Sequence, residues 1–194
     1  MKKITTIFIS ALFTLTTSAF AGGMVGVKYG SGDLDGNAKS YVAGGTTYAA
    51  QSGSKNNEFG AIFAEINVKE SPISVGLEYV PFDADIALDG RSNNVSANVS
   101  DYTTIYALAM KELSNASVYV KLGYSMADIG TVKHNSGATT VNSNSSELEG
   151  LMYGVGLQTS ELAFGLVARA EYTLTDFDDI SVTTTSNGSA SVKK

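Results

Sequence analysis

From Met24 onward the chain repeats one arrangement: segments of about ten residues that alternate apolar and polar, set apart by connectors whose lengths also alternate. Seven such segments run over 24–32, 58–69, 73–88, 102–113, 117–131, 148–159 and 162–185. The connectors after the second, fourth and sixth are tight ("ESP", "SNA", "SE"), whereas those over 33–57, 89–101 and 132–147 are long and rich in Gly, Ser, Asn and Thr. Period-two alternation puts successive side chains on opposite faces of a strand, and no apolar stripe of helical period persists anywhere. The chain therefore reads as all-β and antiparallel. Sorting short turns to one end and long loops to the other is what a transmembrane β-barrel does, and a soluble sandwich has no reason to do it. A tilted spanning strand needs about 9–11 residues, which these segments supply. The expected fold is an antiparallel up-and-down transmembrane β-barrel of eight-stranded type, with the last strand apparently truncated.

The first, third, fifth and seventh segments share a pattern of apolar, any, apolar, any, Tyr: "VGVKY", "VGLEY", "VKLGY" and "ARAEY". Parity places Tyr29, Tyr79, Tyr124 and Tyr172 on the apolar face, at similar depth, where an aromatic girdle marks a membrane boundary. The opposite face carries Lys28, Glu78, Lys121, Arg169 and Glu171, and Glu65 joins them from the second segment. Facing lipid at mid-membrane, Lys121 or Arg169 would cost about 2–4 kcal/mol each, so these charges belong in the lumen. In a barrel just wide enough for side chains to fill it, they should pair across the interior, with Glu78 meeting Lys121, Arg169 or Lys28. The same charges could line an ion path, but the narrow bore favours a plug.

On the return segments, Ile62, Ala64 and Ile66 face one way and Phe63, Glu65 and Asn67 the other; Leu151, Tyr153, Val155 and Leu157 oppose Met152, Gly154 and Gln158. The fourth segment, "YTTIYALAMKEL", admits two registers. The preferred one turns Tyr106, Leu108 and Met110 outward and Ala107, Ala109 and Lys111 inward, since the alternative points a lysine at lipid, although near the periplasmic interface, where snorkelling lowers the cost.

Little in the chain suggests catalysis or a metal. His134, the single histidine, sits in a polar loop, and no nucleophile-elbow, phosphate-loop or zinc-protease motif occurs. All ten Asp residues fall at the loop ends of the segments or in the loops, where Asp suits turns; "DLDG" and "DFDD" lack the spacing of a calcium loop. No catalytic residue, metal ligand or cofactor is assigned. With no Cys, disulfides and thiolate metal sites are impossible.

The N-terminus carries a basic start at Lys2 and Lys3, a short apolar run, and "SAFA" with small residues before Gly22. It reads as a secretory signal peptide over 1–21, leaving 22–194 as the barrel domain. Loss of the two lysines takes the formal charge from −6 to about −8, which opposes nucleic-acid binding.

Taken together, the "AFA" leader end, the glycine-flanked "GMVGVKYGSG", the tyrosine pattern and the "VYVKLGY" and "LMYGVGL" pair resemble small bacterial outer-membrane barrels of the OmpA/OmpX/opacity type, the outer membrane protein β-barrel domain group. The resemblance implies a Gram-negative outer-membrane protein without chemistry of its own, whose surface loops serve adhesion, interaction or envelope stability. It implies as partners outer-membrane lipid and lipopolysaccharide, the outer-membrane assembly machinery, and a surface ligand held by loops 33–57, 89–101 and 132–147. A narrow pore and a lipid-modifying enzyme are the alternatives, and a soluble lipocalin-like binder is the fold alternative. Such barrels have an even number of strands, and "TTTSNGSASVKK" reads as a hairpin with Asn187 and Gly188 at its tip, followed by the start of an eighth strand. The natural protein is therefore expected to continue for about a dozen residues beyond Lys194, enough to complete a spanning strand.

Overall fold

The computed structural model describes the backbone of residues 4–8, 15–20, 22–38, 41–43, 46–48, 50–81, 83–89, 93–130, 133–136, 139–143, 146–178, 181–184 and 189–193. Its wall is built from β1 (Gly23–Ala38), β2 (Gln51–Asn67), β3 (Ile73–Val80), β4 (Asn93–Glu112), β5 (Ala116–Ile129), β6 (Ser146–Thr159) and β7 (Arg169–Phe177). Each pairs antiparallel with the next, giving one curled up-and-down sheet. Consecutive strands pair across short turns and long connectors alike, because the entropic cost of closing a loop grows only slowly with its length.

The long connectors are more ordered than the sequence suggests. The β1–β2 ladder continues through the pair Ala38 and Gln51. Ala84–Asp89 pairs with β4, and Lys133–Ser136 bridges β4 to Thr139–Ser143. Ladder bonds need only backbone N–H and C=O groups, so polar Ser- and Asn-rich stretches extend strands already held in register by their apolar portions. The third segment is interrupted between Val80 and Ala84. Pro81 stands at the break and has no N–H to give the ladder. The seventh segment resolves into a turn at Ala163–Gly165, a two-residue strand Leu166–Val167, β7, and a separate strand Ser181–Thr184.

Ser189–Lys193, the expected start of an eighth wall strand, instead pairs with Ser181–Thr184 and, in parallel, with Thr139–Ser143. The expected hairpin tip at Asn187 and Gly188 lies outside the described residues. The place between β7 and β1 is taken by the N-terminal stretches Ile4–Phe8 and Leu15–Phe20, which pair with both edges or with Leu166–Val167. Pairing of this kind requires an extended backbone and no particular side chains.

The register fixes the tilt of the wall. Paired residues lead from Met24 through Glu65, Gly76, Tyr106, Gly123, Met152, Thr175 and Thr6 back to β1 at Leu34, ten residues nearer the loop end. Ten residues of rise over eight strand spacings correspond to strands inclined by about 40°.

One register differs from expectation. In β4, Tyr106 and Leu108 are buried in the interior, Met110 packs against them, and Ile105, Ala107, Ala109 and Lys111 face out. The assignment of Tyr106, Leu108 and Met110 to the outside is therefore overturned. Lys111 lies one residue from the end of β4, where its long stem reaches past the apolar wall, so the cost assumed for an outward lysine does not arise. The Tyr106 phenol, meanwhile, has an interior partner.

Candidate functional site

Four strands each place one charge at the same level of the interior: Lys28 from β1, Glu78 from β3, Lys121 from β5 and Glu171 from β7. They form an alternating square. Lys28 Nζ bonds Glu78 Oε2 and lies 2.8 Å from Glu171 Oε1, while Lys121 Nζ lies 2.8 Å from Glu78 and 3.1 Å from Glu171. One level toward the turn end, Arg169 grips Glu65 with both terminal nitrogens, at 2.6 and 2.7 Å, and its Nε donates to Gln158 at 2.6 Å. Glu78 thus meets the two lysines, and Arg169 is engaged elsewhere. All six side chains are buried; Lys121 is 3% exposed. Each buried ion would cost several kcal/mol alone, so matched pairing with three cations and three carboxylates is what lets the interior hold them.

Two phenols complete the network. Tyr106 donates to Glu65 at 2.7 Å and Tyr119 to Glu171 at 2.9 Å. Lys121 lies over the Tyr106 ring at 3.9 Å and Arg169 over Tyr119 at 5.3 Å, adding cation–π attraction. Room for the rings comes from glycines directly across the ladder. Tyr106 is paired with Gly76, and Tyr119 with Gly156. A Cβ on Gly156 would lie 2.2 Å from Tyr119 Cζ, and one on Gly76 2.6 Å from Tyr106 Cζ. Tyr119 was legible, since it shares parity with Lys121; Tyr106 was hidden by the misread register, and Gln158 was legible only by parity.

Toward the loop end, hydroxyls replace charges. Ser125 Oγ sits 2.8 Å from Thr104 Oγ1 and 3.0 Å from Tyr102 Oη, which is 3.0 Å from Thr175 Oγ1. Ser125 is fully buried. Beyond that layer the interior turns apolar: Leu34, Val99, Ile129, Leu148 and Phe177 are buried, with Tyr102 edge-on to Phe177 at 6.2 Å.

The outer wall changes in the opposite sense. Toward the turn end it exposes Val27, Ile62, Leu77, Val120, Leu122 and Val155, and an apolar groove runs between Val25, Ile62, Leu77 and Tyr79. Toward the loop end it presents Asp101, Asp128, Glu147, Asp176 and Asp178. The polarity of the wall inverts where the tyrosines stand. Tyr29 pairs with Gly60, and Tyr79 with Ile62, two residues nearer the turn end; Tyr79 pairs with Thr103 and Tyr124 with Ile105, two nearer again; Tyr124 pairs with Leu151 and Tyr172 with Val155, four nearer. At a tilt of about 40° a level line descends by a little over one residue per strand, so this staircase is flat to within about one residue. Tyr153 of β6 falls in the same plane and is also exposed. Tyr29 donates to Glu58 and Tyr79 to Asp101, both at 2.8 Å, so the phenols point toward the polar side.

Of the remaining candidates, Asp179, the side chains of His134, Asp85 and Asp89, and most side chains of loops 33–57, 89–101 and 132–147 lie outside the described residues. Among the described residues, no group of three or more His, Asp or Glu could hold a metal ion. Comparison with protein-family models, with curated proteins and with solved structures finds no match for this chain.

Proposed function

We propose that this chain is a bacterial outer-membrane β-barrel of the OmpA/OmpX/opacity type, delivered by a signal peptide over 1–21 whose place between β7 and β1 another strand takes in the mature barrel, with a structural or surface-interaction role and a closed lumen. The observation that carries the reading is the inversion of polarity at the tyrosine plane. On the turn side apolar residues face out and charges face in, which suits lipid; on the loop side acidic residues face out and apolar ones in, which suits water. A lipocalin-like soluble barrel would keep its apolar face inward along its whole length. The interior supports closure over conduction, because the ion-paired square, the hydroxyl layer and the apolar layer stack across the bore.

The test is extraction. Membranes from expressing bacteria, washed with high salt and with alkaline carbonate, should retain the protein until detergent is added. Recovery in the detergent-free wash would overturn the reading.

A further inference from the structure

The turn between β6 and β7 holds a feature that the barrel wall does not require. Phe164 is 96% exposed and sits in the left-handed region at φ 63°, followed by Gly165 at φ 74°. A bulky non-glycine residue there is strained, and Asn or Gly would be the easier choice. The turn is not loose: Leu162 N donates to Leu166 O at 2.6 Å, Thr159 N to Ala168 O at 2.9 Å, and Ser160 N to Asn115 O of the neighbouring turn at 3.3 Å. Leu162 and, on that neighbouring turn, Leu113 are each about half exposed beside it. Both continue the apolar wall below Leu157, itself outward-facing.

Height gives the partner. Leu113 follows Thr103, the cross-strand partner of Tyr79, by ten residues along the unbroken β4. Less the one residue by which a level line descends per strand, at about 3.3 Å of rise and a tilt of about 40° that is about 23 Å, close to the height of a barrel's apolar band, and Ser160 ties the β6–β7 turn to Asn115 beside it. The turn therefore stands at the opposite margin of the band from the tyrosines. We infer that Phe164, with Leu162 and Leu113, is the inner-side anchor of the barrel: its ring enters the lipid boundary of the periplasmic leaflet and holds the β6–β7 turn against it. This rests on the outer-membrane reading above, and deepens it by naming where the second boundary lies.

The chain contains no Trp, so single tryptophans report without background. Phe164→Trp and, as a reference on the apolar wall, Leu122→Trp are to be compared in full-length protein reconstituted in phosphatidylcholine vesicles carrying brominated lipid. The anchor requires blue-shifted emission from Phe164→Trp, quenched more by bromine near the headgroup than by bromine deep in the chain. If Leu122→Trp is quenched by lipid while Phe164→Trp is quenched only by aqueous iodide, the anchor is wrong and the membrane reading stands. If neither is quenched by lipid, both fail. Phe164→Asn gives a second reading: relief of strain alone raises the thermal midpoint in vesicles, whereas loss of the anchor lowers it, and a rise would overturn the inference.

Discussion

Replacing Glu78 by alanine is expected to destabilise the folded protein by about 3–5 kcal/mol, read as a shift of the urea unfolding midpoint in vesicles at constant slope. The side chain bridges Lys28 and Lys121, so its removal leaves two buried ammonium groups sharing Glu171. Replacing Lys28 and Glu78 together by methionine and leucine leaves Lys121 paired with Glu171 and should recover most of the loss, because a well-packed apolar pair often matches a buried ion pair. If the single variant proves as stable as the parent, the square is not a structural plug. On the proposed closed lumen, the parent should show no steady open-channel current in a planar bilayer; such currents, lost in Glu78→Ala, would favour the pore.

The second large effect concerns the outside. Leu122 is 63% exposed, and in a water-soluble protein Leu122→Arg at so open a site would shift stability by no more than about 0.5 kcal/mol. Facing lipid within the apolar band, the same arginine should cost about 2–4 kcal/mol, falling toward zero as the substitution approaches the interface. Asp128→Arg, on the same face of β5 but beyond the tyrosine plane, should be nearly neutral. Equal effects at the two positions would remove the distinction between a lipid-facing and a water-facing half.

Much of the wall was legible because, on the outer-membrane reading proposed above, lipid punishes errors of parity. The outward strands each pair an apolar face with a charged one, and only one assignment avoids placing Lys121 or Arg169 in hydrocarbon. The fourth strand carries apolar residues on both faces, Leu108 and Met110 inside and Ile105 and Ala107 outside, so alternation could not choose between them. The decision fell on Lys111, whose cost depends on depth, and depth depends on register with β5. Partner choice within the lumen was illegible for a related reason. Lys28 meets Glu171 and Glu65 meets Arg169 only because the wall is sheared by ten residues, and shear arises from the closing of the sheet as a whole. The Tyr–Gly matches, such as Tyr119 with Gly156, also appear only once strands are paired. The extended loop-end strands escaped notice because their Ser, Asn and Thr residues carry turn signals as strong as their capacity to form a ladder.

The inversion of polarity at the tyrosine plane can be mapped along a single strand. The chain has no cysteine, so Val120→Cys, Leu122→Cys, Met126→Cys and Asp128→Cys each introduce one thiol on the outward face of β5. In reconstituted vesicles with the loop end outward, a membrane-impermeant maleimide should label the two beyond Tyr124, at 126 and 128, and leave 120 and 122 unreacted until the vesicles are dissolved and the protein is unfolded in denaturant. Labelling of all four at comparable rates in intact vesicles would contradict a lipid boundary at that plane.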